Sequence, residues 1–226
     1  MMRAKFLTFL LTILAPLSAQ SFAATSVESR AEHFNQLLLG GNISNYLDVN
    51  LKTKIEGTRY VLTVIPGVLY RGGGAHGKNP LTSTALNSLC EAGFSLAVYA
   101  YDVGYRDPGV ISCTTKQGQP NQLRYIAGRA NSTDFKDRFL RLVQEVISNP
   151  EAGPIFEHCW NGNHASGELA AVALRQFCGW STEAAQAYWT RHAAGAPMIS
   201  RIRKFSPIGG LSIPGNQMGA LCGQTR

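Results

Sequence analysis

Residues 154–167 constrain the fold of this chain more than any other stretch. Pro154-Ile155-Phe156 is a short apolar run. His158-Cys159-Trp160-Asn161-Gly162-Asn163-His164-Ala165-Ser166-Gly167 follows, and a helical pattern is clear from Glu168. This order sets a buried strand, a glycine-containing loop and a helix N-terminus in series. Cys159 opens the loop. The helix dipole and the loop N–H groups both favour negative charge there, so a thiolate is expected at Cys159. The same groups suit a phosphate or another oxyanion.

The flanking segments predict an α/β protein. Residues 60–65 and 68–70 read as strands about the turn Pro66-Gly67. Residues 82–92 read as a helix stopped by Gly93, and 94–101 as a buried strand. Residues 102–120 read as a turn-rich connection holding Cys113, and 123–126 as another strand. Ser132 or Thr133 caps a helix over 134–148, with Phe135, Phe139, Leu142, Val143 and Val146 on one face. Helices over 165–177, from Ser181 to about 193, and over 198–205 complete the order. The predicted fold is a central mixed sheet flanked by helices, with several helices C-terminal to the cysteine loop. Gly72, Gly74 and Gly77 fit a G-x-G-x-x-G spacing. Pro80 blocks an immediate helix and no suitable acidic residue follows, so a dinucleotide site is rejected and a flexible turn expected.

The ends and the cysteines suggest a compartment. Arg3 and Lys5 precede an apolar run over residues 6–14, and Ser21-Phe22-Ala23 offers small residues for cleavage. Residues 1–23 therefore read as a secretory signal peptide, too short in its apolar part to span a bilayer. No stable membrane insertion is expected after cleavage. Losing Arg3 and Lys5 takes the formal charge from +7 to +5. That charge is spread along the chain without interleaved aromatics, so nucleic-acid binding is not expected. The densest basic cluster, Arg201-Ile202-Arg203-Lys204, reads as a solvated helix face. Of the five cysteines, Cys159 stands apart by its loop context. The other four allow three pairings, and Cys90 with Cys113 and Cys178 with Cys222 is preferred. The segments are then a signal peptide (1–23), an N-terminal lead-in with a short helix over 30–39 (24–57), a domain (58–206) and a Gly/Pro-rich, extended tail (207–226). A hydrophobic content of 45% against 15% charged residues gives that domain enough material for a core.

The cysteine loop resembles the signature of the protein tyrosine and dual-specificity phosphatases: His-Cys, five residues, Arg, then Ser or Thr. His158, Cys159, Gly162 and Ser166 sit at matching positions, while Ala165 stands where the arginine would be. Val68-Leu69-Tyr70-Arg71-Gly72 is similar to the Leu-Tyr-Arg-Ser run of bacterial and phytase-like members. The resemblance extends over about residues 58–206 and implies a compact cysteine-phosphatase-like domain. It makes Cys159 the nucleophile, Ser166 the hydroxyl that stabilises the thiolate, and His158 to Ala165 a phosphate-binding loop, including Trp160, Asn161 and Asn163. It places the proton donor at Asp134, 25 residues before Cys159, with Asp102 and Asp107 as substitutes. His164 is the nearest cationic candidate to the absent arginine, and Arg71 or Arg129 are candidates from other segments.

The implied function is an exported, dual-specificity-type phosphatase hydrolysing phosphate monoesters of a small molecule or protein. No cofactor is implied. No metal site is expected, since His158, Cys159 and His164 lack a fourth ligand at zinc spacing. The alternatives are an inactive pseudophosphatase binding an anionic ligand or a protein partner, and thiol chemistry other than phosphoryl transfer. The sequence does not give the oligomeric state.

Overall fold

A computed structural model describes residues 29–32, 34, 55–74, 79–149, 151–193 and 198–223. The expected signal peptide and most of the lead-in lie outside these residues. Of the short helix expected over 30–39, residues 30–32 and 34 are helical, as is Ser29 before them.

The strands are β1 (Thr58–Ile65), β2 (Leu69–Gly74), β3 (Leu96–Tyr99), β4 (Val110–Thr114), β5 (Pro120–Ala127) and β6 (Ile155–Cys159). They form one sheet in the order β1-β2-β6-β3-β5-β4. The four inner strands are mutually parallel, and β1 and β4 run antiparallel at the edges. The expectation of a mixed α/β sheet flanked by helices holds. β6 lies in the middle and its carboxyl end is Cys159. In sheets of this kind ligands collect outside the carboxyl ends of the central strands.

Two apolar layers cover the sheet. On one face α1 (Ser83–Glu91) packs Leu86, Leu89 and Cys90 against Tyr70, Ala97, Tyr99 and Phe156. On the other, α2 (Thr133–Ser148) and α3 (Ala165–Cys178) cover Leu69, Leu96, Val98 and Ile155. The α2 periodicity read from the sequence holds for Phe135, Phe139, Val143 and Val146, which are buried, while Leu142 is half-buried at the edge of the core. Ser132 caps it by accepting the Phe135 N–H. α3 is buried on almost every side from Ala165 to Leu174. Its small residues Ala170, Ala171 and Ala173 let neighbours approach closely. Gly179, at φ 65°, ends it in the left-handed conformation that glycine adopts without a steric penalty.

α4 (Thr182–Arg191) is capped by Ser181, as expected. α5 (Ile199–Arg203) is shorter than predicted and is anchored by fully buried Ile202. The tail is not simply extended. It carries a 3-10 turn (Gly215–Gln217) and α6 (Met218–Cys222). Gln176 on α3 holds it, donating to the carbonyls of Ile208 and Leu211 and accepting the Ile208 N–H at 2.7 Å.

Two sequence expectations are corrected. Residues 71–74 are no flexible turn; they are the buried second half of β2, paired with both β1 and β6. The connection over 102–120 contains β4, an edge strand whose alternate residues are exposed. Its pairing with β5 makes it a strand, and the turn residues around it hid that. The preferred disulfides form: Cys90 on α1 bonds Cys113 on β4, and Cys178 at the end of α3 bonds Cys222 on α6. Cys159 is the free cysteine. Among the described residues, no helix is long and apolar enough to cross a membrane.

Candidate active site

Strand alternation sends successive side chains of β6 to opposite faces of the sheet. Glu157 and Cys159 face α3, whereas His158 faces the aromatic layer beneath α1. After Cys159 the chain turns through residues 160–164 and enters α3 at Ala165. The loop lies directly on the backbone of β2. A methyl group on Gly73 would meet the Asn161 carbonyl carbon at 2.6 Å, and one on Gly162 the Gly72 carbonyl carbon at 2.7 Å. Gly162 also has φ 76°. The glycine run of β2 is therefore the bed of the loop, which is why side chains are absent there.

The loop carbonyls are tied from behind. Arg71 is fully buried on β2, beside Glu157 in register, and its Nη2 donates to the Gly162 carbonyl at 2.9 Å. The indole N–H of Trp189 on α4 donates to the Asn163 carbonyl at 3.2 Å. In a trans peptide the N–H points opposite to the C=O. The N–H groups of Asn163 and His164 therefore point away from Arg71 and Trp189. The leading N–H groups of α3 add to them, because a helix leaves its first donors without intrahelical partners. The first such bond in α3 runs from Glu168 to the His164 carbonyl at 2.9 Å. Donors and helix dipole together form a seat for an anion.

Cys159 is 2% exposed, and its Sγ lies 3.3 Å from the Ser166 hydroxyl. Ser166 is the one hydroxyl on the first turn of α3, so strand and helix deliver the pair expected from the sequence. Glu157, buried beside them, is pushed well above the ordinary carboxyl value, chiefly by burial; Arg71 opposes the shift and Cys159 adds to it.

His158 supports the loop from the opposite face. Its ring stacks on Tyr99 with centroids 4.9 Å apart, and Nε2 lies 2.9 Å from the Tyr125 hydroxyl. Burial lowers its pKa to about 3, against a weaker opposing bond to the Cys159 carbonyl. The neutral ring donates from Nδ1 to that carbonyl and accepts the Tyr125 proton at Nε2. Tyr125 in turn accepts the Leu81 N–H. Between about pH 6.5 and pH 3 the unfolded chain binds a proton here that the folded chain refuses. Stability must therefore fall as the pH falls, by about 1.4 kcal/mol per unit from this one group. Glu157 acts with the opposite sign, losing stability as the pH rises above its ordinary value. His158→Phe isolates the histidine contribution. Urea unfolding from pH 7 to pH 4 is expected to lose about one proton of slope in the variant; an unchanged slope contradicts the assignment.

Beside the loop is a cavity of about 600 Å³. Its walls include Tyr101, Asp102, Arg129, Trp160, His164, Ala165, Glu168 and Arg201. Of the site residues expected from the sequence, Trp160, His164 and Ala165 line it, while Cys159, Ser166 and Gly162 are buried next to it. Trp160 donates to the Tyr99 hydroxyl at 2.7 Å and leans on Tyr101. Asn161 is exposed and Asn163 half-buried. Asp134 is exposed on the first turn of α2 and is not among the residues lining the cavity; Asp102 is among them. Arg129 also lines it, with Nε 2.9 Å from the Asp102 carboxylate. Arg71 is committed to the back of the loop.

Sequence reasoning missed Glu168 and Arg201. Glu168 is fully buried in the first turn of α3, with Lys136 Nζ 2.7 Å from one oxygen and Arg201 Nη1 2.9 Å from the other. The basic cluster at 201–204 is thus not simply a solvated face. Its one aliphatic member, Ile202, was the available sign that the segment docks.

No family model matches this chain, and no curated protein matches it. Among solved structures it is similar to the crystal structure of P. aeruginosa TpbA. The identity is 16%, over 62% of this chain and 81% of that one, at a TM-score of 0.40. It is also similar to a cysteine-to-serine variant of P. aeruginosa TpbA in complex with pTyr. There the identity is 15%, over 72% and 96% of the two chains, at a TM-score of 0.39.

Proposed function

We propose that the chain is an exported, cysteine-dependent phosphoric monoester hydrolase of the dual-specificity type, with residues 158–166 as its phosphate-binding loop. The observation that carries this reading is the approach of the Cys159 thiol to the Ser166 hydroxyl at 3.3 Å, where a central strand meets a helix N-terminus beside a cavity whose walls include Arg129 and Arg201. The two disulfides support export. With residues 1–23 removed, the mature chain begins at Ala24.

The chemistry needs a nucleophile, an oxyanion seat and an acid. The Cys159 thiolate attacks phosphorus, an S–P bond forms, and the P–O bond to the leaving group breaks. The loop N–H groups hold the equatorial oxygens as charge redistributes. The leaving oxygen takes a proton from a carboxylic acid. Water then cleaves the S–P bond, giving phosphate and restoring the thiolate, and its proton returns to the carboxylate. Ser166, within reach of the sulfur, stabilises it as leaving group. His164 contributes a donor at the mouth of the loop.

Asp102 is the carboxyl group best placed to be the acid, because it lines the cavity and Asp134 does not. Geometry comes first in choosing a general acid. Asp102→Asn is expected to lower kcat for an aryl phosphate by about a hundredfold. Asp134→Asn, on an exposed helix turn, is expected to cost a few tenths of a kcal/mol of stability, at most about 1, and little rate. The reverse pattern restores Asp134 as the donor.

The test of the proposal is turnover of p-nitrophenyl phosphate by the mature, disulfide-intact chain. A second reading rests on Ala165, which brings no charge to the helix start: an inactive domain that binds an anion or a partner. Tungstate binding without turnover selects that reading.

A further inference from the structure

A transferring phosphoryl group carries two charges, and backbone N–H groups alone neutralise them poorly; a planar guanidinium meets two of the oxygens at once. Ala165 cannot do this, and Arg71 is sealed behind the loop. The other guanidiniums on the cavity wall belong to Arg129 and Arg201. Arg129 is two-thirds exposed and spends Nε on Asp102. Arg201 is better fixed.

Its backbone is anchored through the residues that follow it. Ile202, the next residue, is fully buried against Ala171, Ala185 and Trp189. Arg175 on α3 donates to the Ile202 and Phe205 carbonyls at 2.7 and 2.8 Å. The Arg201 side chain reaches the first turn of α3 and gives Nη1 to Glu168 at 2.9 Å, while remaining about one-third exposed to the cavity (33%). Lys136 holds the other Glu168 oxygen, so this buried carboxylate sits between two cations and the cluster keeps a net positive charge. Glu168 is three residues beyond Ala165 and shares its helical face. Tyr101 lines the same wall. Arg201 is therefore held at the start of α3, with one nitrogen spent on Glu168 and the residue lining the cavity.

We propose that Arg201 is the phosphoryl-binding guanidinium of this site, delivered from α5 to the place that position 165 leaves without a charge, and oriented by Glu168 and Lys136. The proposal rests on the reading of residues 158–166 as an oxyanion loop. It makes the ligand a tetrahedral dianion, and it makes Glu168 a positioning residue.

Tungstate titration of the mature chain by calorimetry tests this, with turnover of p-nitrophenyl phosphate measured beside it. Arg201→Ala is expected to weaken tungstate affinity about ten- to a hundredfold and to lower kcat/KM by on the order of a hundred- to a thousandfold. Arg201→Lys keeps the charge and the Glu168 pair but loses the planar fork. It is expected to stay folded and still lose about tenfold in affinity. Arg129→Ala is expected to change affinity by less than about threefold, as an exposed ion-pair partner. Wild-type affinity in a folded Arg201→Lys or Arg201→Ala chain overturns the proposal, and so does a larger loss in Arg129→Ala. If the unsubstituted chain neither binds tungstate nor turns over the ester, the oxyanion loop itself is refuted, and the role of Arg201 falls with it. If the unsubstituted chain does both and the Arg201 variants match it, the loop stands and only Arg201 is refuted.

Discussion

Cys159→Ser is expected to abolish turnover of an aryl phosphate and to leave tungstate affinity within a few-fold of the original chain. The two outcomes come from different parts of the site. An alkoxide is not accessible at neutral pH in the way a thiolate is, so serine at this position has no activated electron pair to offer phosphorus. Losses on removing a covalent nucleophile are typically about 10⁴-fold or more. The proposed oxyanion seat uses the N–H groups of the loop and of α3, and their placement depends on the pinned carbonyls of Gly162 and Asn163. A hydroxyl in place of a thiol leaves those bonds alone. Steady-state rates with p-nitrophenyl phosphate and calorimetry with tungstate read the two effects separately. Residual turnover within tenfold of the unsubstituted chain removes Cys159 from the chemistry. Loss of binding together with turnover shows instead that the substitution has disturbed the loop.

Arg71→Ala is the substitution expected to cost most in stability. The guanidinium is fully buried. It bonds the Gly162 carbonyl, approaches the His192 carbonyl at 3.4 Å and lies over the Tyr188 ring at 5.3 Å. It is also the cation that opposes the upward shift of Glu157. Truncation leaves the Gly162 carbonyl unbonded and a void beneath the loop, and it removes the cation that opposes the upward shift of Glu157. Breaking a buried charge cluster from one side costs about 3–5 kcal/mol. In a domain of this size that lowers the melting temperature by on the order of 10 °C. Tungstate affinity should fall as well, because the Asn163 N–H is no longer held in direction by the pinned Gly162 carbonyl. Arg71→Lys recovers charge but cannot span two carbonyls and an aromatic face, and is expected to recover less than half the loss. A melting temperature within about 2 °C of the unsubstituted chain, equivalent to about 1 kcal/mol or less, shows that Arg71 is not the support described.

Cys159 and Ser166 were legible in the sequence because their relation is local. Seven residues separate them, the strand before and the helix after are signalled by apolar pattern and capping, and a tight loop leaves few ways to join them. Helix α2 was legible for the same reason, through its periodicity and its serine cap. The disulfide pairing was a preference among three, since the partners stand 23 and 44 residues apart, and the packing of α1 on β4 and of the tail on α3 decided it. β4 was not legible. A half-exposed edge strand has no internal pattern strong enough to outweigh the turn residues around it, and its pairing with β5 creates it. The glycines of β2 were misread for a related reason. A missing side chain records a close approach by something, and the sequence does not say what approaches.

The cationic side of the site lies beyond local reasoning altogether. The Glu168 carboxylate meets Lys136 from α2 and Arg201 from α5, across 32 and 33 residues of chain. Arg71 meets the Gly162 carbonyl across 91 residues. Such pairs form because packing brings helices and strands together, and a buried charge must then find a partner where it lies. The sequence by itself determined a strand–loop–helix unit with a cysteine at its turn, an α/β order around it and a preferred pairing of the other four cysteines. The tertiary structure decided which charges surround that cysteine, because long-range charge placement follows from how the faces of the sheet and helices are buried, and no short stretch of residues encodes it.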